Sequence, residues 1–196
     1  MIPGTQPFED LEAALLRIAP SPPGPLVEVM TADDRGITRA LRLSAPVDDA
    51  EVVLVIDQFE ELFTLTDPDR RTAFLDGLIA ALREPRSGLR VVATVRADFW
   101  DRPLQIPELA ALLEESAVTV GPLTADELEQ AITEPARLEG VEFAPGLVAR
   151  LIADVADQPG ALPLLQYTLT TLFDSQRDGV VAAETYDDLG GIEGAL

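Results

Sequence analysis

Residues 51–65 read EVVLVIDQFEELFTL: an aliphatic run that ends in an acid, Asp57, with Glu60 and Glu61 close behind. An unbroken aliphatic run predicts a strand over 51–57, buried on both faces as in a parallel sheet covered by helices. The flanking sequence supports such a sheet. LRVVATV, residues 89–95, predicts a second buried strand, and AVTVGPL, residues 117–123, a third. Between the first two lies TDPDRRTAFLDGLIAALREPRSG. Asp67 is placed to cap a helix, Pro68 to fill its first turn, and Phe74, Leu75, Leu78, Ile79 and Leu82 to form its apolar stripe. Pro85 and Gly88 end it. IPELAALLEES, residues 106–116, supplies a short helix before the third strand. Strand, helix, strand, helix, strand is the pattern of a parallel α/β sheet.

The remainder is helical in character. PFEDLEAALLRIA, residues 7–19, puts Phe8, Leu11, Leu15 and Ile18 on one helical face, and PSPPGP, residues 20–25, breaks the chain. Residues 26–43 mix a strand-like LVEVM with a helix-like DDRGITRALRL and are read as two short helices. After Pro122, Thr124 and Glu127 form a capping box at the head of TADELEQAITEPARLEG. Three further helices are expected: Pro145 to about Asp157, LPLLQYTLTTLFDSQ, and the short AAETYDDLGG. The terminal GGIEGAL reads as the first turn of another helix. The chain is thus expected to be α/β over residues 1–121 and all-helical over residues 122–196.

Composition narrows the chemistry. The 196 residues include no cysteine and no histidine, which removes thiolate and imidazole metal sites and nucleophile–His pairs. All 14 basic residues are arginine. A chain without lysine forms no Schiff base and holds no G-x-x-x-x-G-K-[ST] phosphate loop. A net charge of −21 repels phosphate backbones and anionic lipids, so nucleic acid and membrane surface are poor partners. The absence of an export signal and of cysteine points to the cytoplasm.

An acid at the carboxyl end of a buried parallel strand stands where open α/β sheets bind ligands. In phosphoryl-transfer proteins such an acid holds Mg²⁺, and an acid just beyond it orients the attacking water. Asp57 suits the first role, and Glu60 or Glu61 the second. The plainer alternative is that acids after a strand cap the next element, and the longer alternation VVLVIDQFEELF argues against it. The second strand ends VVATVRADFW, where Arg96 is placed to sense a γ-phosphate or, more plainly, to pair with Asp98 or Asp101. Thr94 reads as a β-branched strand residue. QPGALPLLQ, residues 158–166, is either a turn that lays backbone against a base or an ordinary helix start.

Taken in order, VVLVIDQFEELFTL, LRVVATVRADFWDR, VGPLTADELEQAITEPA, GALPLLQYTL and YDDLGGIEGAL resemble the STAND class of P-loop NTPases. The closest likeness is to its bacterial "novel STAND NTPase" branch, often fused to WD-repeat or regulatory modules. The resemblance implies a partial P-loop α/β core followed by a helical arm. It makes Asp57 the Walker B acid associated with Mg²⁺ and makes Glu60 or Glu61 the acid beside the attacking water. Arg96 becomes the arginine after the sensor strand. Gly160 and Pro163 become the Gly/Pro motif that faces the nucleotide. ATP is the implied nucleotide. The implied activity is a regulatory switch that oligomerises in its ATP form, with hydrolysis as a timer. In this family the phosphate loop precedes the Walker B strand. The chain is therefore expected to be a fragment, cut at both ends, whose first partners are its missing P-loop segment and fused regulatory domains. Alone it is expected to be inactive. Two rivals are a stand-alone pseudo-NTPase that acts as an interaction module and a Mg²⁺-dependent hydrolase of another kind.

Overall fold

Pro7 opens the first helix, α1 (Pro7–Leu16), and Phe8, Leu11 and Leu15 are buried along one side. The helix ends before Ile18, which is 43 % exposed and stands off the apolar face on which the periodicity placed it. The breaker cluster leads to α2 (Leu26–Met30), whose free N–H groups at Leu26 and Val27 are taken by the Glu12 carboxylate of α1. The helix α3 (Gly36–Ser44) follows, so residues 26–43 form two short helices as expected. At Gly36 a Cβ would lie 2.2 Å from the Met30 carbonyl oxygen, so only glycine lets α3 start this close to α2.

The aliphatic run forms β1 (Val52–Ile56). A four-residue helix, α4 (Glu61–Thr64), follows the acids, and then α5 (Pro68–Arg83), capped by Asp67 at the Asp69 and Arg70 N–H groups. Gly88, at φ +65, turns the chain into β2 (Leu89–Ala93), where a Cβ would meet the Ala50 carbonyl at 2.5 Å. β1 and β2 pair in parallel, with Val52 opposite Leu89 and Ile56 opposite Ala93. A 3-10 turn (Ala97–Phe99), α6 (Asp101–Leu104) and α7 (Pro107–Glu114) complete this part.

One face of the two-stranded sheet enters the core. Leu54, Ile56 and Leu89 pack in a cluster with Phe8, Leu11, Phe74, Leu75 and Leu78, and the Phe8 and Phe74 rings meet edge to face at 5.3 Å. The other face is bare: Val53, Val55 and Val92 are all at least half exposed. The expectation of burial on both faces is corrected here. The helices of this unit cover one side of the sheet, and an aliphatic pattern does not say how many layers a sheet receives. The expectation of a third strand at 117–123 is also corrected. These residues take no strand structure, and Val118 and Val120 are among the most exposed apolar side chains of the chain. A strand requires a neighbour for its backbone groups, and among the described residues nothing pairs with this segment.

The second part begins with α8 (Ala125–Leu138). Thr124 and Glu127 form the reciprocal capping box, and the two hydrogen bonds from Thr124 hold the Glu127 carboxyl below its usual range. Next come β3 (Glu142–Phe143), α9 (Leu147–Ala156), α10 (Leu162–Asp174), β4 (Val180–Val181) and α11 (Ala183–Asp188). The four-helix reading holds. However, β3 and β4 pair in parallel over two residues each, so the arm is not all-helical. Runs of two residues carry no periodicity, which is why the sequence conceals them. Leu128, Ile132, Leu147, Leu151, Leu165, Leu172 and Tyr186 form this part's own core.

The structure, a computed structural model, describes residues 1–47, 50–156 and 160–192, and chain contacts divide it into two units, Met1–Val118 and Thr119–Leu196. The change in sequence character falls at 121/122, three residues beyond this boundary. Asp157, at the expected end of α9, and the terminal residues 193–196 lie outside the described residues. Among the described residues no helix is long and apolar enough to cross a membrane.

Candidate functional site

Asp57 leaves β1 at its carboxyl end, exposed to solvent. Its carboxylate Oδ1 accepts a hydrogen bond from the Thr94 hydroxyl at 2.5 Å. Its own N–H donates to the Met1 carbonyl at 2.9 Å, while the Met1 ammonium donates to the Val55 carbonyl. Met1 therefore pairs along one edge of β1 and β2 along the other. Gln58 then adopts φ +57, a left-handed conformation rare outside glycine. Its N–H donates to Thr94 Oγ1 at 3.0 Å, and the Phe59 N–H donates to the Thr94 carbonyl at 2.9 Å. The sharp turn sends the chain back under the strand, and Phe59 buries its ring edge to face against Phe63.

Glu60 is only 7 % exposed. Its Oε2 accepts the Arg96 N–H at a long 3.4 Å. Glu61, half-buried, opens α4, where an acid sits well against the positive end of the helix. The two acids left open by the sequence thus have different surroundings: Glu60 is tied to the end of β2, and Glu61 leads a helix.

Arg96 follows β2, and its guanidinium forms a bidentate pair with Asp98, Nε to Oδ1 at 3.1 Å and Nη2 to Oδ2 at 2.9 Å. This pair holds the Asp98 carboxyl below its usual range and the guanidinium above its own. The guanidinium also lies 5.7 Å from the centre of the Phe99 ring. Both partners are exposed, so the pair stabilises the fold little and is open to exchange for another anion. Asp101, the other partner foreseen, is instead beside Arg102.

Asp57 and Arg96 thus follow the ends of two adjacent parallel strands; Thr94 bonds Asp57, and the Arg96 N–H meets Glu60. Gly160 and Pro163 lie in the second unit, before and within the first turn of α10, and both are exposed. Gly160 has φ +80, a conformation that favours glycine. Thr94 is the residue that sequence reasoning missed. A threonine in a strand is unremarkable, and only its place opposite the acidic turn gives its hydroxyl a purpose.

Among the described residues no cluster of three or more metal-ligating side chains is placed to cage a metal ion. Mg²⁺ does not require one. It keeps several waters and takes one or two carboxylates together with substrate phosphates. An exposed carboxylate with one oxygen committed to Thr94 suits such a shared site.

A family model described as Novel STAND NTPase 1 matches the chain over residues 1–196. The chain belongs to this NTPase family. No curated protein and no solved structure matches it. The membership agrees with a mixed helix–strand fold built on a small parallel sheet, and with nucleotide and Mg²⁺ use in the family at large.

Proposed function

We propose that this chain carries the Walker B and sensor side of the nucleotide site of a STAND signalling NTPase, and that the phosphate-binding loop comes from a segment outside this sequence. One observation carries the reading: Asp57 and Arg96 follow the carboxyl ends of two adjacent parallel strands, where α/β sheets bind ligands, and Glu60 lies against the Arg96 N–H. The lack of any lysine, the bare face of the sheet and the outer edge of β2, which pairs with no other strand among the described residues, support it.

In this reading Asp57 holds Mg²⁺ through a carboxylate oxygen. The metal supplies neutralisation of charge on the phosphates of ATP. Glu60, rather than Glu61, is the acid that orients the attacking water, because it is the one held against the end of β2. Arg96 exchanges Asp98 for the γ-phosphate, an anion of higher charge. Hydrolysis would time a regulatory switch in a cytoplasmic protein, with fused regulatory domains and further copies of the activated protein as partners. Without its phosphate loop the chain lacks the backbone N–H cradle that holds phosphates, and it is inert alone.

ATP turnover decides the matter, measured for this chain and for the product of its whole reading frame. The expected result is no turnover here, and turnover in the longer protein that Asp57→Asn abolishes. Robust turnover by this chain, lost on Asp57→Asn, would overturn the proposed source of the phosphate loop.

A further inference from the structure

We propose that Thr94 is a positioning residue that sets the Asp57 carboxylate for a divalent cation; the proposal rests on the reading of Asp57 as the metal-associated acid. Thr94 bonds four consecutive residues of the acidic turn. Its N–H donates to the Ile56 carbonyl at 3.0 Å, and its carbonyl accepts from Phe59 at 2.9 Å. Its hydroxyl oxygen accepts from the Gln58 N–H at 3.0 Å and lies 2.5 Å from Asp57 Oδ1.

The direction of that last bond is forced. The Gln58 N–H is only a donor and occupies a lone pair of Oγ1. A carboxylate is only an acceptor. The single hydroxyl proton therefore goes to Asp57. One carboxylate oxygen is committed, and among the described residues Oδ2 accepts no hydrogen bond. A cation approaching the strand end meets one free oxygen in one orientation.

The same hydroxyl also receives the N–H of Gln58, whose left-handed backbone is strained for a residue with a side chain. The turn and the acid are thus fixed by one atom. A hydrogen bond that orients a metal-binding carboxylate acts through it, without touching the metal.

The test uses the whole 196-residue chain and Mn²⁺ alone as a paramagnetic probe, with broadening of the Gln58 and Phe59 amide signals followed by NMR. In the wild-type chain these signals should broaden with added Mn²⁺, and Asp57→Asn should abolish the effect. Thr94→Val keeps the shape and removes the hydroxyl; it should raise the Mn²⁺ needed for half-broadening roughly tenfold, while Thr94→Ser should return it to near the wild-type value. Should Thr94→Val fail to hold its fold, Thr94→Ala, which also lacks the hydroxyl donor, carries the same test. Wild-type-like titration of the hydroxyl-less variant, with Asp57→Asn still silent, would overturn the role of Thr94 and leave the metal reading standing. Absence of broadening at Gln58 in the wild-type chain, or its persistence in Asp57→Asn, would overturn the metal reading and the proposal with it.

Discussion

Leu54 and Val55 are neighbours in one strand, both aliphatic, yet the first is 6 % exposed and the second 50 %. The two faces of the β1–β2 sheet differ in the same way along their length. Leu54, Ile56 and Leu89 lie in a packed core, whereas Val53, Val55 and Val92 look outward. β-branched and aliphatic side chains satisfy the strand on either face. What differs is whether a helix lies over them, and that is a property of the layers, not of the strand.

The contrast has consequences of very different size. Removing a side chain from the covered face should cost most. Phe74→Ala takes away a fully buried ring that meets Phe8, and the expected loss is about 3–5 kcal/mol. The lone tryptophan, Trp100, lies in the first unit, so denaturant unfolding followed by its fluorescence reads this change directly. Both tyrosines lie in the second unit, so their absorbance serves as the internal reference. An equal loss in both signals would show that the two units unfold as one.

Capping and burial of polar groups come next. Asp67→Ala leaves the Asp69 and Arg70 N–H groups at the head of α5 unpaired, for an expected cost of about 1 kcal/mol in the same fluorescence assay. Glu60→Gln keeps the shape and leaves an amide to meet the one long bond from Arg96, so it should change stability by less than about 0.5 kcal/mol. A larger fall would mean that the carboxylate is held by more than that bond.

The second unit offers a pH-dependent contrast. Burial first, and then the hydrogen bond it donates to Asp154, push the Tyr186 hydroxyl well above its ordinary value. A group whose folded value is raised contributes stability that is whole below the unfolded value, about 10, and is lost as pH climbs from there towards the folded one. The second unit should therefore weaken above about pH 10, and Tyr186→Phe should flatten that dependence. Tyrosine absorbance during alkaline titration reads it.

The smallest effect belongs to the bare face. Val55→Thr should change stability by less than about 0.5 kcal/mol, because its methyls already meet water. A cost approaching that of Phe74→Ala would mean that the face is covered in solution.

Much of the fold was legible. Asp67 with Pro68, and Thr124 with Glu127, announce helix starts through local hydrogen bonds, and both caps form as read. The apolar stripe of α5 likewise follows from its spacing. Residues 117–123 were misread because AVTVGPL has the composition of a strand but no neighbour to pair with. The pairing of β3 with β4 was invisible because two residues make no pattern. At the candidate site, Asp57 and Arg96 stand out as charged residues that follow aliphatic runs, while Glu60 and Glu61 look alike in the sequence. Thr94 does not stand out, since its role depends on a partner 37 positions away in the chain.

The sequence by itself therefore determined the main helices, the two strands of the first sheet, two helix caps, the family, and the absence of lysine, cysteine and histidine chemistry. Each of these rests on local spacing or on the simple presence of a side chain. The tertiary structure alone decided which face of the sheet is covered, which of Glu60 and Glu61 is held against β2, and which hydroxyl grips Asp57. The first comes from the layer of helices, and the other two from the parallel register that sets Ile56 beside Ala93 and so places Thr94 over the acidic turn. A register is a relation between two segments, and no window on either one contains it.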